Sequence, residues 1–172
     1  MSLQEKIRSI EGPVLVIGAS GFIGANLLRH LVHYRGDAIG TTFSGASWRL
    51  QGISSAMVVH CNLLEPESIK GILQRFKPKT IFDCSSFGAY SFENDYELIH
   101  RTNYLSFIRL METLAGSDIS AYVHAGSSSE YGVNAAGPSE ADSLIPNSHY
   151  AVSKAAAAAA ITYYGKIRGL PA

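Results

Sequence analysis

A β-favouring run, Val14-Leu15-Val16-Ile17, leads directly into Gly18-Ala19-Ser20-Gly21-Phe22-Ile23-Gly24, after which Ile23, Leu27, Leu28, Leu31 and Val32 recur at helical spacing. Few folds use that order. Three glycines permit a tight turn, a close approach of backbone to a pyrophosphate, and close packing of helix on strand. The helix N-terminus then offers N–H groups and a partial positive charge to an anion. The spacing is GxxGxxG, whereas the dinucleotide fingerprint is GxGxxG. The position after an N-terminal strand therefore carries as much of the argument as the glycines do. Gly18, Ser20, Gly21, Phe22, Ile23 and Gly24 are the residues that would line a phosphate site. A glycine turn that merely packs well is the alternative.

The rest of the chain repeats the alternation of short apolar runs and longer helical patterns, which predicts βαβ units and a parallel sheet. Further strands are expected at Ala38–Thr42, Ala56–His60, Thr80–Asp83 and Ala121–Ala125. Helices are expected from Pro66 to about Phe76, over Tyr96–Ala115, and over Tyr150–Arg168, with a Gly/Ser/Pro/Asn-rich loop across 126–148. The expected fold is α/β, a doubly wound parallel sheet of the Rossmann type, in one dinucleotide-binding domain over residues 1–172.

Composition narrows the function. Apolar residues make up 47% and charged residues 16%, enough for a packed core. Fourteen basic and fourteen acidic residues cancel, which gives no basic face for nucleic acid or an anionic membrane. The longest apolar run, Ala155–Ile161, is too short to span a bilayer, and the first twelve residues hold no apolar signal core. Cys61 and Cys84 lack disulfide or zinc spacing, and the six histidines do not cluster. A reduced, cytoplasmic protein without a metal is expected.

Three further features carry chemistry. The second strand ends Gly40-Thr41-Thr42-Phe43-Ser44, with Arg49 following and no carboxylate to meet a free ribose 2′-hydroxyl. That absence, with Thr42 at the strand end, favours NADP over NAD as the cofactor; Arg49 reads equally well as a phosphate ligand or a solvated loop charge. Tyr150-Ala-Val-Ser-Lys154 puts a phenol and an ammonium on one helix face. An ammonium beside a phenol favours the phenolate, which can take a proton from a substrate hydroxyl as hydride leaves the same carbon. Upstream, Gly126-Ser127-Ser128-Ser129-Glu130-Tyr131-Gly132 follows the fifth strand, at a strand end where open α/β sheets bind ligands. A serine there can hydrogen-bond the reacting oxygen, or the segment is simply a polar turn.

GASGFIG, SSSEYG and YAVSK, in this order and spacing, resemble the extended short-chain dehydrogenase/reductase enzymes, and within them the NAD-dependent epimerase/dehydratase family that acts on nucleotide sugars. The resemblance runs from about residue 13 to residue 172. It implies a Ser–Tyr–Lys triad with Tyr150 as acid/base, Lys154 as its tuner and ribose ligand, and Ser128 as the serine, Ser127 and Ser129 being the other choices. It implies that Asn62 and Leu63 lie against the adenine, that Ser85 in Phe82-Asp-Cys-Ser-Ser86 lines the cofactor, and that Asn103 matches the asparagine of the fourth helix. Glu130 is the carboxylate that would remove the proton next to a transient ketone in a dehydratase. The resemblance also implies a nucleotide-sugar substrate and a homodimer through the two long helices, to which the alanine run 155–160 lends a close-approach surface; the C-terminal substrate domain of the family is absent from this chain, which is either a fragment or a natural short relative. A non-catalytic dinucleotide-binding module and an NADP-dependent reductase of a non-sugar carbonyl are the competing functions.

Overall fold

The computed structural model describes residues 1–45, 47–134 and 136–172. The chain forms two compact units, one of residues 1–85, 116–125 and 171–172, the other of residues 86–115 and 126–170.

The first unit holds α1 (Leu3–Ser9), β1 (Val14–Ile17), α2 (Phe22–Tyr34), β2 (Ala38–Thr42), β3 (Val58–His60), α3 (Pro66–Phe76), β4 (Thr80–Asp83) and β5 (Ala121–His124). All five strands run parallel in the order β3-β2-β1-β4-β5. That is the order of a doubly wound sheet, with its switch point between β1 and β4. Val14 and Val16 pack with Leu28, Leu31, Ala38 and Ile7 in one core cluster. Leu15 and Ile17 point to the opposite face and are equally buried. Burial on both faces explains why β1 reads as a continuous apolar run. Each fully buried leucine of α2 contributes about 1.5–3 kcal/mol relative to exposure. A bidentate pair from Arg35 to Asp37 (2.6 and 2.9 Å), with Arg35 also donating to the carbonyls of Ile7 and Ile10, ties the end of α1 to the start of β2. The Arg35 hydrogen bonds hold the Asp37 carboxyl below its ordinary value.

The N-terminal helix was not expected from periodicity. Its signal is local: Ser2 and Glu5 form a capping box, the Ser-x-x-Glu pattern that starts helices. The third strand is shorter than expected because a 3₁₀ turn, Ser55–Met57, takes up its first residues. The edge strand β5 is not wholly bare, since the Tyr122 N–H donates to Pro171 O at 2.6 Å.

The second unit holds α4 (Tyr96–His100), α5 (Ser106–Leu114) and α6 (His149–Lys166). A π-helical turn over Arg101–Leu105 joins α4 to α5, where the periodicity predicts one unbroken helix. The cause is tertiary. Asn103 on the widened turn accepts from Phe87 N–H at 2.8 Å and donates to Phe87 O at 2.7 Å and Ser153 Oγ at 2.9 Å. Tyr164 on α6 donates to Glu112 on α5 at 2.7 Å, and Arg168 reaches the same oxygen at 3.2 Å. Burial and the Glu112 carboxylate push the Tyr164 hydroxyl up to about 12.

Candidate functional site

In the first unit the glycine turn sits at the carboxyl end of β1. Gly18 adopts a φ of 75°, and a Cβ there would lie 2.8 Å from the Ser85 backbone. Its N–H donates to Thr41 Oγ1 at 3.3 Å, while Ala19 N–H donates to Thr41 O at 2.8 Å. The turn is thus held between the ends of β2 and β4. A Cβ on Gly24 would lie 2.3 Å from Gly18 O. Gly21 is different: it is exposed, and a Cβ there would meet only Gly18 O, at 3.3 Å. The protein's own packing requires the outer two glycines and leaves the middle one unexplained. Gly21 is also the N-cap of α2, where no side chain caps the helix. A bare first turn with a glycine at its mouth suits the close approach of a phosphate. Phe22 and Ile23 flank it, exposed at 74% and 60% rather than joining the core.

At the end of β2, Thr42 is buried and its hydroxyl donates to Ser44 O at 2.6 Å, so that donor is spent on the local turn. Arg49 lies with its guanidinium 4.6 Å over the Trp48 ring, and its buried Nε has no hydrogen-bond partner. Ser47 Oγ donates to Ser20 O at 3.4 Å, which ties this segment to the glycine turn. Asn62 organises the start of α3: Oδ1 accepts from Leu64 N–H at 3.1 Å and Nδ2 donates to Glu65 at 2.8 Å. Leu63 beside it is half-buried.

The end of β4 holds a feature that sequence reasoning passed over. Asp83 is buried, and its Oδ1 accepts from both the N–H (2.9 Å) and the hydroxyl (2.6 Å) of Ser85. Its Oδ2 accepts from Tyr122 OH at 2.7 Å and lies 3.6 Å from His124 Nδ1. Burial alone would push this carboxyl up; His124, Ser85 and Tyr122 together outweigh burial and hold it below the ordinary carboxylate value. Burial and the Asp83 charge push the Tyr122 hydroxyl well above its usual range. The available signal was an aspartate ending a short strand whose other residues are buried or half-buried.

In the second unit, Ser148 caps α6 by accepting from Ala151 N–H at 3.1 Å. Tyr150 is half-buried on the first turn, Lys154 lies one turn on at 2% exposure, and Ser153 Oγ between them donates to Tyr150 O at 2.7 Å. The 3₁₀ turn Ser128–Tyr131 packs against α6, so the serine run and the Tyr150/Lys154 face share one unit. Ser127 is the cap of that turn, its Oγ accepting from Ser129 N–H at 3.2 Å, while Ser128 is exposed. Glu130 Oε1 accepts from Ser127 N–H at 2.7 Å and completes a capping box. One pair of histidines does come together: His100 Nε2 and His149 Nδ1 are 3.4 Å apart. Among the described residues no group of three or more His, Cys, Asp or Glu could hold a metal ion, and no helix is long and apolar enough to cross a membrane.

A parallel sheet of order 3-2-1-4-5 with a glycine turn after its first strand defines an α/β protein of the Rossmann type. The chain belongs to the NAD dependent epimerase/dehydratase family, whose model matches residues 14–172. It is similar to the methionine adenosyltransferase 2 subunit beta of Danio rerio, 26% identical over 83 residues, 48% of this chain and 23% of that protein. Among solved structures it resembles the L-threonine 3-dehydrogenase of Trypanosoma brucei, with a TM-score of 0.84, 19% identity, and coverage of 94% of this chain and 51% of that one. It also resembles the UDP-glucuronic acid 4-epimerase of Bacillus cereus in complex with NAD, with a TM-score of 0.77, 22% identity, and coverage of 92% and 54%. The chain spans about half the length of these two solved structures and about a quarter of the curated relative.

Proposed function

We propose that this chain supplies the cofactor-binding turn and the acid/base residues of a nucleotide-sugar epimerase or dehydratase. The observation that carries this reading is the pair Tyr150 and Lys154, one turn apart on a capped helix against which the serine turn packs. A module that only bound a dinucleotide would have no use for that pair. A bound nicotinamide would supply the hydride acceptor and donor for a sugar carbon. Tyr150 takes the proton from the hydroxyl on that carbon, Lys154 holds the ribose, and the exposed Ser128 hydrogen-bonds the reacting oxygen. Glu130, already capping its own turn, is the candidate base for the dehydratase branch. In the first unit Gly18 to Gly24 receive the pyrophosphate, and Asn62, Leu63 and Ser85 are the further cofactor residues. Titrating the chain with NAD and NADP while following protein fluorescence tests the reading, and failure to bind either overturns it.

NADP is the preferred cofactor in this proposal. The stretch 40–49 has no carboxylate to repel a 2′-phosphate, and the Arg49 guanidinium, not the spent Thr42 hydroxyl, is the group that suits one. The expected result is a lower Kd for NADP, and Arg49→Ala should reduce that preference. A lower Kd for NAD refutes it.

A homodimer through the helices of the second unit belongs to the same proposal. Val152, Ala159, Tyr163 and Ile167 form an exposed, largely apolar stripe along one face of α6. Ala157 is fully buried and Tyr164 is bonded to Glu112, so neither contributes to that stripe. Sedimentation at micromolar concentration should give twice the mass of one chain, and Ala159→Arg should halve it. A monomer at that concentration removes the dimer.

A further inference from the structure

We infer that Asp83 is a positioning residue for the dinucleotide, acting through Ser85 on the glycine turn. This rests on the dinucleotide reading of that turn. Gly18 has no room for a Cβ because its α-carbon lies on the Cys84–Ser85 peptide, with Ser85 Cα and N 2.8 Å and Cys84 C 2.9 Å from the Cβ position. Whatever fixes that peptide therefore fixes the floor of the turn. Asp83 fixes it twice, through the N–H and the hydroxyl of Ser85. The carboxylate is in turn aimed by Tyr122 OH on the neighbouring strand, with His124 Nδ1 beside the same oxygen. Asp83 pairs in register with Ile17 on one side and His124 on the other, which places the cluster at the sheet's switch point. A site that must hold a ligand to within about half an ångström depends on such supporting bonds.

The role is one of acceptor geometry, so an amide should serve where a methyl cannot. Asp83→Asn keeps an acceptor for Ser85; Asp83→Ala removes it. Titration of the folded variants with NAD and NADP should show Asp83→Ala weakened by about tenfold or more, and Asp83→Asn within about threefold of the unsubstituted chain. Tyr122→Phe, which preserves the ring and removes only the donor to Asp83, should weaken binding by about threefold. It stands in for Asp83→Ala if that variant does not fold. Unchanged affinity in Asp83→Ala or in Tyr122→Phe overturns the assignment, as does an Asp83→Asn as weak as Asp83→Ala. Failure of the unsubstituted chain to bind either dinucleotide overturns the reading of the turn itself, a result distinct from these.

Discussion

If Tyr150 is the proposed acid/base, its replacement by phenylalanine should lower turnover on a nucleotide sugar by about 10²–10⁴-fold, the range for loss of a general acid/base. The substitution removes one hydroxyl from a half-buried ring on the first turn of α6. The ring stays, and so do the bond that its carbonyl accepts from Ser153 and the Ser148 cap. Thermal melting and dinucleotide affinity should therefore match those of the unsubstituted protein. The assay uses a protein shown to turn over a nucleotide sugar, since the substitution is read as a ratio of rates. Normal turnover rejects Tyr150 as acid/base. A fall in the melting midpoint large enough to explain lost activity assigns Tyr150 to folding instead.

The second large effect separates the three glycines. Gly21→Val should weaken dinucleotide binding by more than about tenfold, about 1.4 kcal/mol, with little change in melting. A side chain at Gly21 meets only one backbone oxygen, at 3.3 Å, and otherwise projects where the phosphate would come. Gly24→Val should do the reverse in order of cause. Its Cβ would lie 2.3 Å from Gly18 O, so the turn and the start of α2 must shift. That overpacking costs about 1–3 kcal/mol or more, and binding falls because the turn is deformed. Calorimetric melting alongside titration reads the difference. Equal affinity in Gly21→Val and the unsubstituted chain would return the turn to the alternative of a glycine loop that merely packs well.

Much of the architecture was legible because local chemistry and tertiary demand agree there. The runs at Val14–Ile17, Ala38–Thr42 and Thr80–Asp83 are strands at the expected residues, and Pro66 starts α3. The Tyr150/Lys154 spacing needs only helical geometry to place both groups on one face. The π-helical turn at Arg101–Leu105 was not legible, because the periodicity of Tyr96–Ala115 is satisfied by an unbroken helix. Only the bonds from Asn103 to Phe87 and Ser153, residues 16 and 50 positions away, repay the widened turn. The helix at Leu3–Ser9 was legible in its Ser2–Glu5 box, which a search for apolar periodicity overlooks.

The amino-acid sequence by itself determined the parallel α/β class, the position of the glycine turn and the helix that carries Tyr150 and Lys154. Each of these depends on residues close together along the chain. Tertiary structure alone decided which glycines the packing of the turn requires, Gly18 and Gly24, and which it does not, Gly21. It also decided that Thr42 spends its hydroxyl on Ser44, that Glu130 caps its own turn, and that Asp83 holds Ser85 under Gly18. Those roles depend on which backbone or side-chain atom lies within about 3 Å, and hydrogen bonding falls off too steeply with distance and angle for spacing along the chain to specify it.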